Sequence, residues 1–142
     1  DCYLLTRSIK TLPYRMKAHA FNAKKIAEFL DNHPYVENVY YPGLSSHKGY
    51  ETAQIQMEGF GAMLSFIIKG NANEADHLIE QLKYFSNATS LGGVESLIER
   101  RSKVQMGDPT IPDQLIRMSV GIENWEDLIE DLDQALEKTF KP

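Results

Sequence analysis

The chain has 142 residues and a formal net charge of -5, and 42% of its residues are hydrophobic. This size and composition are typical of one soluble globular domain with a sizeable core, and the acidic charge argues against nucleic-acid binding. No apolar run is long enough to span a bilayer, so we expect no membrane partner. The single cysteine, Cys2, cannot form an internal disulfide, and we therefore expect a reducing compartment such as the cytoplasm.

Residues 1–33 predict a bent helical segment that packs one face on a sheet, because apolar residues recur there at helical spacing. Pro13 should kink or divide this helix, since it lacks an amide donor. His33 precedes Pro34 and therefore ends the segment. The chain does not begin with Met, so we expect the segment to continue from a longer protein.

Segments of strand and helix composition alternate along the rest of the chain. Five runs rich in β-branched, aromatic or other apolar residues predict strands: 35–41, 62–69, 84–88, 94–99 and 115–121. Three amphipathic runs predict helices: 50–57, 75–82 and 125–136. Asn71 or Asn73 can cap the second of these helices, and Asn124 can cap the third. The polar residues 100–114, which include two prolines, predict an irregular connection.

The order of these elements predicts an α/β (α+β) fold. The final helix should bury one apolar stripe, formed by Trp125, Leu128, Ile129, Leu132, Ala135 and Leu136. With helices at both ends and between the strands, we expect a two-layer sandwich. Helices cover one face of a mostly antiparallel or mixed sheet of about four strands. We interpret the whole chain, 1–142, as a single domain.

The strand 115–121 carries a residue that needs a partner. Ile116, Met118 and Val120 form an apolar face, and Arg117 lies on the other face. An arginine among apolar residues must be paired, because a buried unpaired charge is costly. Its planar fork of donors suits a carboxylate that accepts two hydrogen bonds.

Two interpretations of Arg117 follow from the strand alone: an internal ion pair with an acid such as Glu95, or a site for a ligand carboxylate. The Ser-Leu-Gly-Gly loop at 90–93 favours the second, because consecutive glycines let backbone amides and a hydroxyl approach an anion closely. A plain tight turn between two strands is the other interpretation of this loop. Together, Arg117 and the loop predict a site that binds an amino acid or a similar small acid. They include no nucleophile or general base.

The sequence lacks the spaced motifs that mark metal, nucleotide-binding and catalytic-serine sites. The four histidines and the single cysteine are scattered without the paired spacing of metal ligands, so we expect no metal site. The chain has no Walker loop, and the Gly-Phe-Gly segment at 59–61 lacks the third glycine of a dinucleotide-binding motif. No serine lies in a Gly-x-Ser-x-Gly turn of the kind that presents a catalytic serine.

Several motifs resemble, in the same order, those of one enzyme family. The motifs are RSIKTL at 7–12, VYYPGL at 39–44, GFGAMLSF at 59–66, SLGGVESLIE at 90–99 and LIRMSVGIE at 115–123. Each motif is weak alone, but their order is specific. The chain thereby resembles the C-terminal domain of the pyridoxal-phosphate-dependent enzymes of cysteine and methionine metabolism. These include cystathionine γ-synthase, cystathionine γ-lyase, cystathionine β-lyase and methionine γ-lyase.

The resemblance implies the small domain of a fold-type I enzyme, which residues 1–33 join to a large cofactor-binding domain. It implies that Arg117 binds the α-carboxylate of a sulfur amino acid, with help from Ser90 and the backbone near Leu91. It also implies a full-length homotetramer that uses pyridoxal 5'-phosphate to form or cleave C–S bonds. Ser8-Ile9-Lys10 has the Ser-x-Lys spacing of the family's imine-forming lysine, but Lys10 falls within a different, downstream motif, Arg-x-x-Lys-Thr-Leu. We therefore expect the isolated chain to lack the catalytic lysine, to hold no cofactor and to be inactive.

Two departures from the family pattern bear on the substrate. The segment between Glu99 and Leu115 is shorter than usual and lacks a Met-Thr-His-Ala motif. Thr89 stands where several γ-acting members have a glutamate, which would contact the distal amino group of cystathionine. The pattern therefore selects no single sulfur amino acid. A stand-alone amino-acid-binding module and a purely structural domain with an internal Arg117 ion pair are the alternatives.

Overall fold

The computed structural model describes residues 1–105 and 108–141. The helices in these ranges are α1 (Cys2–Ile9), α2 (Leu12–Asp31), α3 (Tyr50–Gln56), α4 (Ala72–Gln81), α5 (Arg101–Val104) and α6 (Trp125–Phe140). The strands are β1 (Val36–Tyr40), β2 (Met63–Ile68), β3 (Ser86–Asn87), β4 (Leu97–Arg100) and β5 (Leu115–Ser119). The alternation of helices and strands confirms the predicted fold class.

The five strands in the described ranges form one mixed sheet in the order β1-β2-β5-β4-β3. Neighbouring strands are antiparallel, except that β3 runs parallel to β4. Helix α2 packs on β1 and β2, α4 packs on β4, and α6 packs against α2 and α4. These three helices therefore form a layer on one face of the sheet. The predicted two-layer sandwich is confirmed, and each of the five strands overlaps one of the five predicted strand segments.

Strand β5 links the core to the second face of the sheet, which lies opposite the helix layer. Ile116, Met118 and Val120 are fully buried, and they share one apolar cluster with residues of α2, α4 and α6. Arg117 is one residue out of phase with them and lies on the second face, as the alternation predicts.

Residues 1–33 form two helices rather than one bent helix. The break falls at Lys10 and Thr11, and Pro13 lies in the first turn of α2, where its missing N–H interrupts no helical hydrogen bond. Helix α2 packs on the sheet, but α1 buries none of its residues. The expectation that the whole segment packs on the sheet is therefore wrong for α1, which the break at Lys10 and Thr11 separates from α2.

Asparagine caps begin α4 and α6, as predicted. Asn71 accepts hydrogen bonds from the backbone N–H groups of Asn73 (2.8 Å) and Glu74 (3.4 Å), and the Glu74 carboxylate accepts one from the Asn71 N–H (2.7 Å). This capping box identifies Asn71, and not Asn73, as the cap. Asn124 accepts a hydrogen bond from the Glu126 N–H at 3.1 Å.

The predicted apolar stripe of α6 is fully buried at four of its six positions. Trp125 and Ile129 are only half-buried, which corrects the prediction. Trp125 lies in the first turn of the helix, where its ring centroid is 5.8 Å from the Lys25 Nζ instead of lying in the core.

Residues 94–104 differ from the predicted strand and irregular connection. Strand β4 begins only at Leu97, so Val94 lies before the strand, where its carbonyl accepts a hydrogen bond from the Ile122 N–H at 2.9 Å. Residues 101–104 form the short helix α5, which a polar sequence without apolar periodicity does not reveal. Residues 106 and 107 of the predicted connection lie outside the described residues. Helix α5 packs against β4 and β5 and so brings its side chains near Arg117.

Polar contacts fix the carboxyl end of β5 to α2 and to the residues before β4. The Asn22 side-chain amide donates to the carbonyls of Gly121 (3.1 Å) and Glu123 (2.8 Å). The Ser96 hydroxyl accepts from the Gly121 N–H (2.8 Å) and donates to the Glu123 carboxylate (2.9 Å). A Cβ atom on Gly121 would lie 2.4 Å from the Val94 carbonyl oxygen, so this approach requires glycine. These contacts hold β5 in place.

Candidate functional site

Arg117 lies in the middle of a row of polar residues on the second face of the sheet. Its direct cross-strand partners are Ser65 on β2 and Glu99 on β4. Residues directly opposite one another in a sheet point to the same face, so the three side chains are neighbours. The Arg117 side chain is 16% exposed and the Glu99 side chain 2% exposed, so the pair lies in a sheltered position.

The Arg117 guanidinium uses only one of its three nitrogens within the described part of the chain. Its Nη1 donates to the Thr89 carbonyl at 3.0 Å and to the Glu99 carboxylate at 3.3 Å. Nε and Nη2 have no hydrogen-bond partner among residues 1–105 and 108–141. The Nε–Nη2 edge can therefore bind a carboxylate through two parallel hydrogen bonds.

The predicted loop 90–93 lies beside this guanidinium. Arg117 binds the carbonyl of Thr89, directly before the loop, and the Gly92 N–H donates to the Ser119 hydroxyl at 3.2 Å. Gly92 has a φ of +76°, a left-handed conformation that favours glycine. Both ends of the loop are thus attached to β5. Ser90 and Leu91 are exposed and directly follow Thr89 in the chain, and their role in binding stays a prediction.

The internal partner of Arg117 is Glu99 and not Glu95. Glu95 is exposed, whereas Glu99 is buried and its Oε1 accepts hydrogen bonds from both Arg117 (3.3 Å) and Arg101 (2.8 Å). Its Oε2 is buried without a partner among the described residues. Sequence reasoning missed Glu99 and Arg101, because the contact depends on the pairing register of β4 with β5 and on helix α5. The alternation of strand β4 is the one signal that could have indicated the face of Glu99.

The local charge favours an anion. Two guanidinium groups, from Arg101 and Arg117, share one carboxylate, so this cluster carries one excess positive charge. The excess charge lies next to the open edge of Arg117 and in a partly buried position, where electrostatic interactions are stronger than in water. A ligand with a carboxylate would neutralise it.

Comparison with known proteins identifies the family. The model of the Cys/Met metabolism PLP-dependent enzymes matches residues 1–137. The chain belongs to this family. An L-methionine gamma-lyase of Fusobacterium nucleatum subsp. polymorphum is 47% identical over 97% of this chain and 37% of the relative. A cystathionine gamma-lyase of Bacillus subtilis is 50% identical over 96% of this chain and 38% of the relative. The family resemblance of the sequence motifs is thereby confirmed.

A third relative is named as a beta-lyase, whereas the first two are named as gamma-lyases. It is a cystathionine beta-lyase of Lactococcus lactis subsp. cremoris, 48% identical over 97% of this chain and 38% of the relative. The chain spans less than two fifths of the length of each of these relatives. The three alignments extend over 146, 148 and 149 positions, so the relatives contain residues that this chain of 142 lacks. The short segment between Glu99 and Leu115 is the place where we expect them.

The family depends on pyridoxal phosphate, and the groups that contact Arg117 in the described chain do not include an amine that could form an imine with it. The groups around Arg117 are guanidinium, hydroxyl and carboxylate groups, which suit a carboxylate ligand. An imine requires a lysine amine, and Lys10 is exposed between α1 and α2. Within the described ranges it forms no hydrogen bond or ion pair with the Arg117 cluster.

The described residues contain neither a cluster of metal-ligating side chains nor a helix that could span a membrane. No group of three or more His, Cys, Asp or Glu side chains there is arranged to hold a metal ion. None of the described helices combines the length and apolar character needed to cross a membrane.

Proposed function

We propose that this chain is the C-terminal small domain of a pyridoxal-phosphate-dependent enzyme that forms or cleaves C–S bonds in sulfur amino acids. Residues 1–33 would connect it to the cofactor-binding domain. The three relatives described above are named for methionine or cystathionine as substrate, which supports a sulfur amino acid. Their names include both β- and γ-lyases, so the proposal extends to either carbon.

In this proposal, Arg117 binds the α-carboxylate of the substrate. The observation that carries it is the Nε–Nη2 edge, which has no partner among residues 1–105 and 108–141, while Nη1 donates to Thr89 and Glu99. Ser90 and the backbone at Leu91 would complete the site from the neighbouring loop. Two hydrogen bonds in one plane fix the direction of the carboxylate and thereby restrict the orientation of the substituents on Cα.

The isolated chain should bind a carboxylate weakly and catalyse nothing. We would add pyridoxal phosphate and cystathionine to the purified chain, and then measure imine absorbance and release of a 2-oxoacid. The proposal expects neither signal, because no lysine of the described chain forms a hydrogen bond or an ion pair with Arg117, Glu99 or Arg101. Appreciable turnover would contradict it. Micromolar affinity for methionine, cysteine or cystathionine in calorimetric titration would instead favour a stand-alone amino-acid-binding module.

A structural role for Arg117 is a second candidate, and its hydrogen bond to Glu99 favours it. Breaking a buried ion pair typically costs about 3–5 kcal/mol. If Arg117→Ala lowers the free energy of unfolding by that amount without changing carboxylate binding, the pair is structural. Mild destabilisation together with lost binding supports the substrate site.

We also propose that the full-length protein is a cytoplasmic homotetramer, as the family resemblance implies. The single thiol of the chain, Cys2, is exposed, which suits a reducing compartment. Light scattering on the full-length protein measures the mass of the assembly. A monomer would contradict the tetramer without affecting the carboxylate site.

A further inference from the structure

The Glu99 carboxylate has two arginine partners, and they contact it unequally. Arg101 Nη1 lies 2.8 Å from Glu99 Oε1, whereas Arg117 Nη1 lies 3.3 Å from the same oxygen. Charge-assisted hydrogen bonds are strongest when they are short. Arg101 is therefore the stronger partner of Glu99, and Arg117 is only loosely attached to it.

We infer that Arg101 is a positioning residue that keeps the ligand-binding edge of Arg117 open by holding Glu99 away from it. This inference rests on the proposed role of Arg117 as the carboxylate anchor. In this inference Arg101 acts on Glu99 and not on the substrate carboxylate. Its contribution passes through Glu99, which is 2% exposed and lies directly opposite Arg117 on β4.

The unpartnered Oε2 of Glu99 shows what Arg101 prevents. A carboxylate and a guanidinium prefer a fork of two parallel hydrogen bonds, which uses both oxygens. Arg100, the next residue on β4, forms such a fork with Asp76 through Nε (2.9 Å) and Nη2 (3.0 Å). Glu99 forms none, because both of its hydrogen bonds converge on Oε1 and leave Oε2 buried without a donor in the described chain.

Without Arg101, Glu99 would have Arg117 as its one ionic partner among the described residues. A fork between them would use Nη2 of Arg117, whether it forms through Nε and Nη2 or through Nη1 and Nη2. Either arrangement occupies a nitrogen that a bound carboxylate needs. The pair would also be electrically neutral, so the excess positive charge that attracts the ligand would be lost. Arg101 thus controls the affinity of the site for a carboxylate.

The experiment compares the affinities of variants for L-methionine, measured by following backbone amide signals of the chain by NMR. L-Methionine methyl ester, which lacks the carboxylate, serves as the control ligand. We expect Arg101→Gln to weaken L-methionine binding about tenfold, the effect of losing one charged hydrogen bond. Arg101→Lys keeps the cation and should restore most of the affinity.

A double variant separates positioning from general loss of charge. In Glu99→Gln/Arg101→Gln, the neutral amide cannot close an ionic fork on Arg117, so affinity should return toward that of the unchanged chain. Glu99→Gln alone should bind L-methionine at least as tightly as the unchanged chain, which tests the inference even if Arg101→Gln does not fold. Lys103→Gln is the matched control, because Lys103 is on the same helix but contacts Asp76 at 3.6 Å and not Glu99. It should bind like the unchanged chain.

The outcomes distinguish this inference from the proposed function. If Arg117→Gln abolishes L-methionine binding but Arg101→Gln binds normally, the positioning role of Arg101 is wrong and the carboxylate anchor stands. The positioning role is also wrong if Arg101→Gln and Lys103→Gln weaken binding equally, or if Glu99→Gln weakens it. If Arg117→Gln leaves binding unchanged, or if the unchanged chain does not bind L-methionine, both the anchor and the role of Arg101 are overturned.

Discussion

Two arginines on neighbouring strands meet their acidic partners in opposite ways. Arg100 on β4 forms a closed fork with both oxygens of Asp76, and its third nitrogen donates to Ser102 at 2.7 Å. Arg117 on β5 contacts Glu99 through one nitrogen only, at 3.3 Å. Arg100 faces the helix layer and Arg117 faces the opposite side of the sheet. Their strands are adjacent, yet their guanidinium groups are available to very different degrees.

This difference separates an ion pair that supports the fold from one that leaves a site open. All three nitrogens of Arg100 donate to groups of the chain, so a ligand would have to displace an existing partner. The hydrogen bond from Arg100 also lowers the pKa of Asp76, as expected for a carboxylate held in its charged form. Arg117 keeps two donors free of partners in the described chain. The number of unused nitrogens, rather than burial alone, therefore distinguishes Arg117 from Arg100 as the one of the two that can bind a ligand.

Removing the open guanidinium should have the largest effect on binding. We expect Arg117→Gln to weaken the affinity for L-methionine about 100-fold, because it removes two charge-assisted hydrogen bonds. Calorimetric or NMR titration measures the change. Arg100→Gln is the matched control and should bind normally. Equal losses in the two variants would contradict the distinction between the two arginines.

Removing the closed fork should affect stability more than binding. We expect Arg100→Gln to lower the free energy of unfolding by about 2 kcal/mol, since it leaves the Asp76 carboxylate without its main partner. Arg117→Gln should lower the free energy of unfolding by only about 1 kcal/mol, because only one nitrogen of Arg117 donates hydrogen bonds within the described chain. Urea unfolding monitored by circular dichroism measures both values. A larger loss for Arg117→Gln would favour a structural role for it.

Straining the loop beside Arg117 should have a smaller effect. Gly92 has a φ of +76° with open space around its Cα, so Gly92→Ala adds backbone strain without a clash. We expect a loss of about 1 kcal/mol in stability and weaker L-methionine binding, because the Gly92 N–H holds the loop to Ser119. Gly59→Ala, also in open space, is the control. Normal L-methionine affinity in a folded Gly92→Ala variant would remove the loop from the site.

The ion pair between Arg100 and Asp76 should also make the stability of the chain depend on pH at acidic values. We expect this effect to be the smallest of those described. The hydrogen bond from Arg100 lowers the folded-state pKa of Asp76 below its ordinary 3.8. The folded chain therefore binds fewer protons than the unfolded chain near this pH. The stabilisation is complete above about pH 4 and is lost as the pH falls through the lowered pKa. In Asp76→Asn, the free energy of unfolding should fall less steeply below about pH 4. Urea unfolding at several pH values tests this, and parallel curves would contradict it.

The sequence predicted the features that depend on local spacing. The alternation in β5 identifies the face of Arg117, and Asn124 identifies the start of α6, because both follow from chemistry within a few residues. Asn71 was predicted only as one of two possible caps, and the Glu74 side chain that completes the capping box decides between them. Pro13 was predicted to kink or divide the first helix, and the helix is divided just before it.

Features that depend on contacts between distant segments could not be predicted. Glu99 lies opposite Arg117 only because β4 pairs with β5 in one register, and a single sequence does not specify that register. Arg101 reaches Glu99 only through the turn into α5, whose four residues show no helical periodicity. Sequence reasoning therefore named Arg117 but not the two residues that determine how it is held.

The most direct test of the central claim observes the open edge of Arg117 itself. The Nε–H signal of Arg117 can be followed by NMR in a chain labelled with ¹⁵N-arginine, and assigned through its absence in Arg117→Lys. If the Nε–Nη2 edge of Arg117 binds the carboxylate, this signal shifts in a saturable way with L-methionine and does not shift with L-methionine methyl ester. The Arg100 Nε–H signal should not move with either ligand. An unchanged Arg117 signal, or equal shifts with the acid and its ester, would contradict a carboxylate anchor at this position.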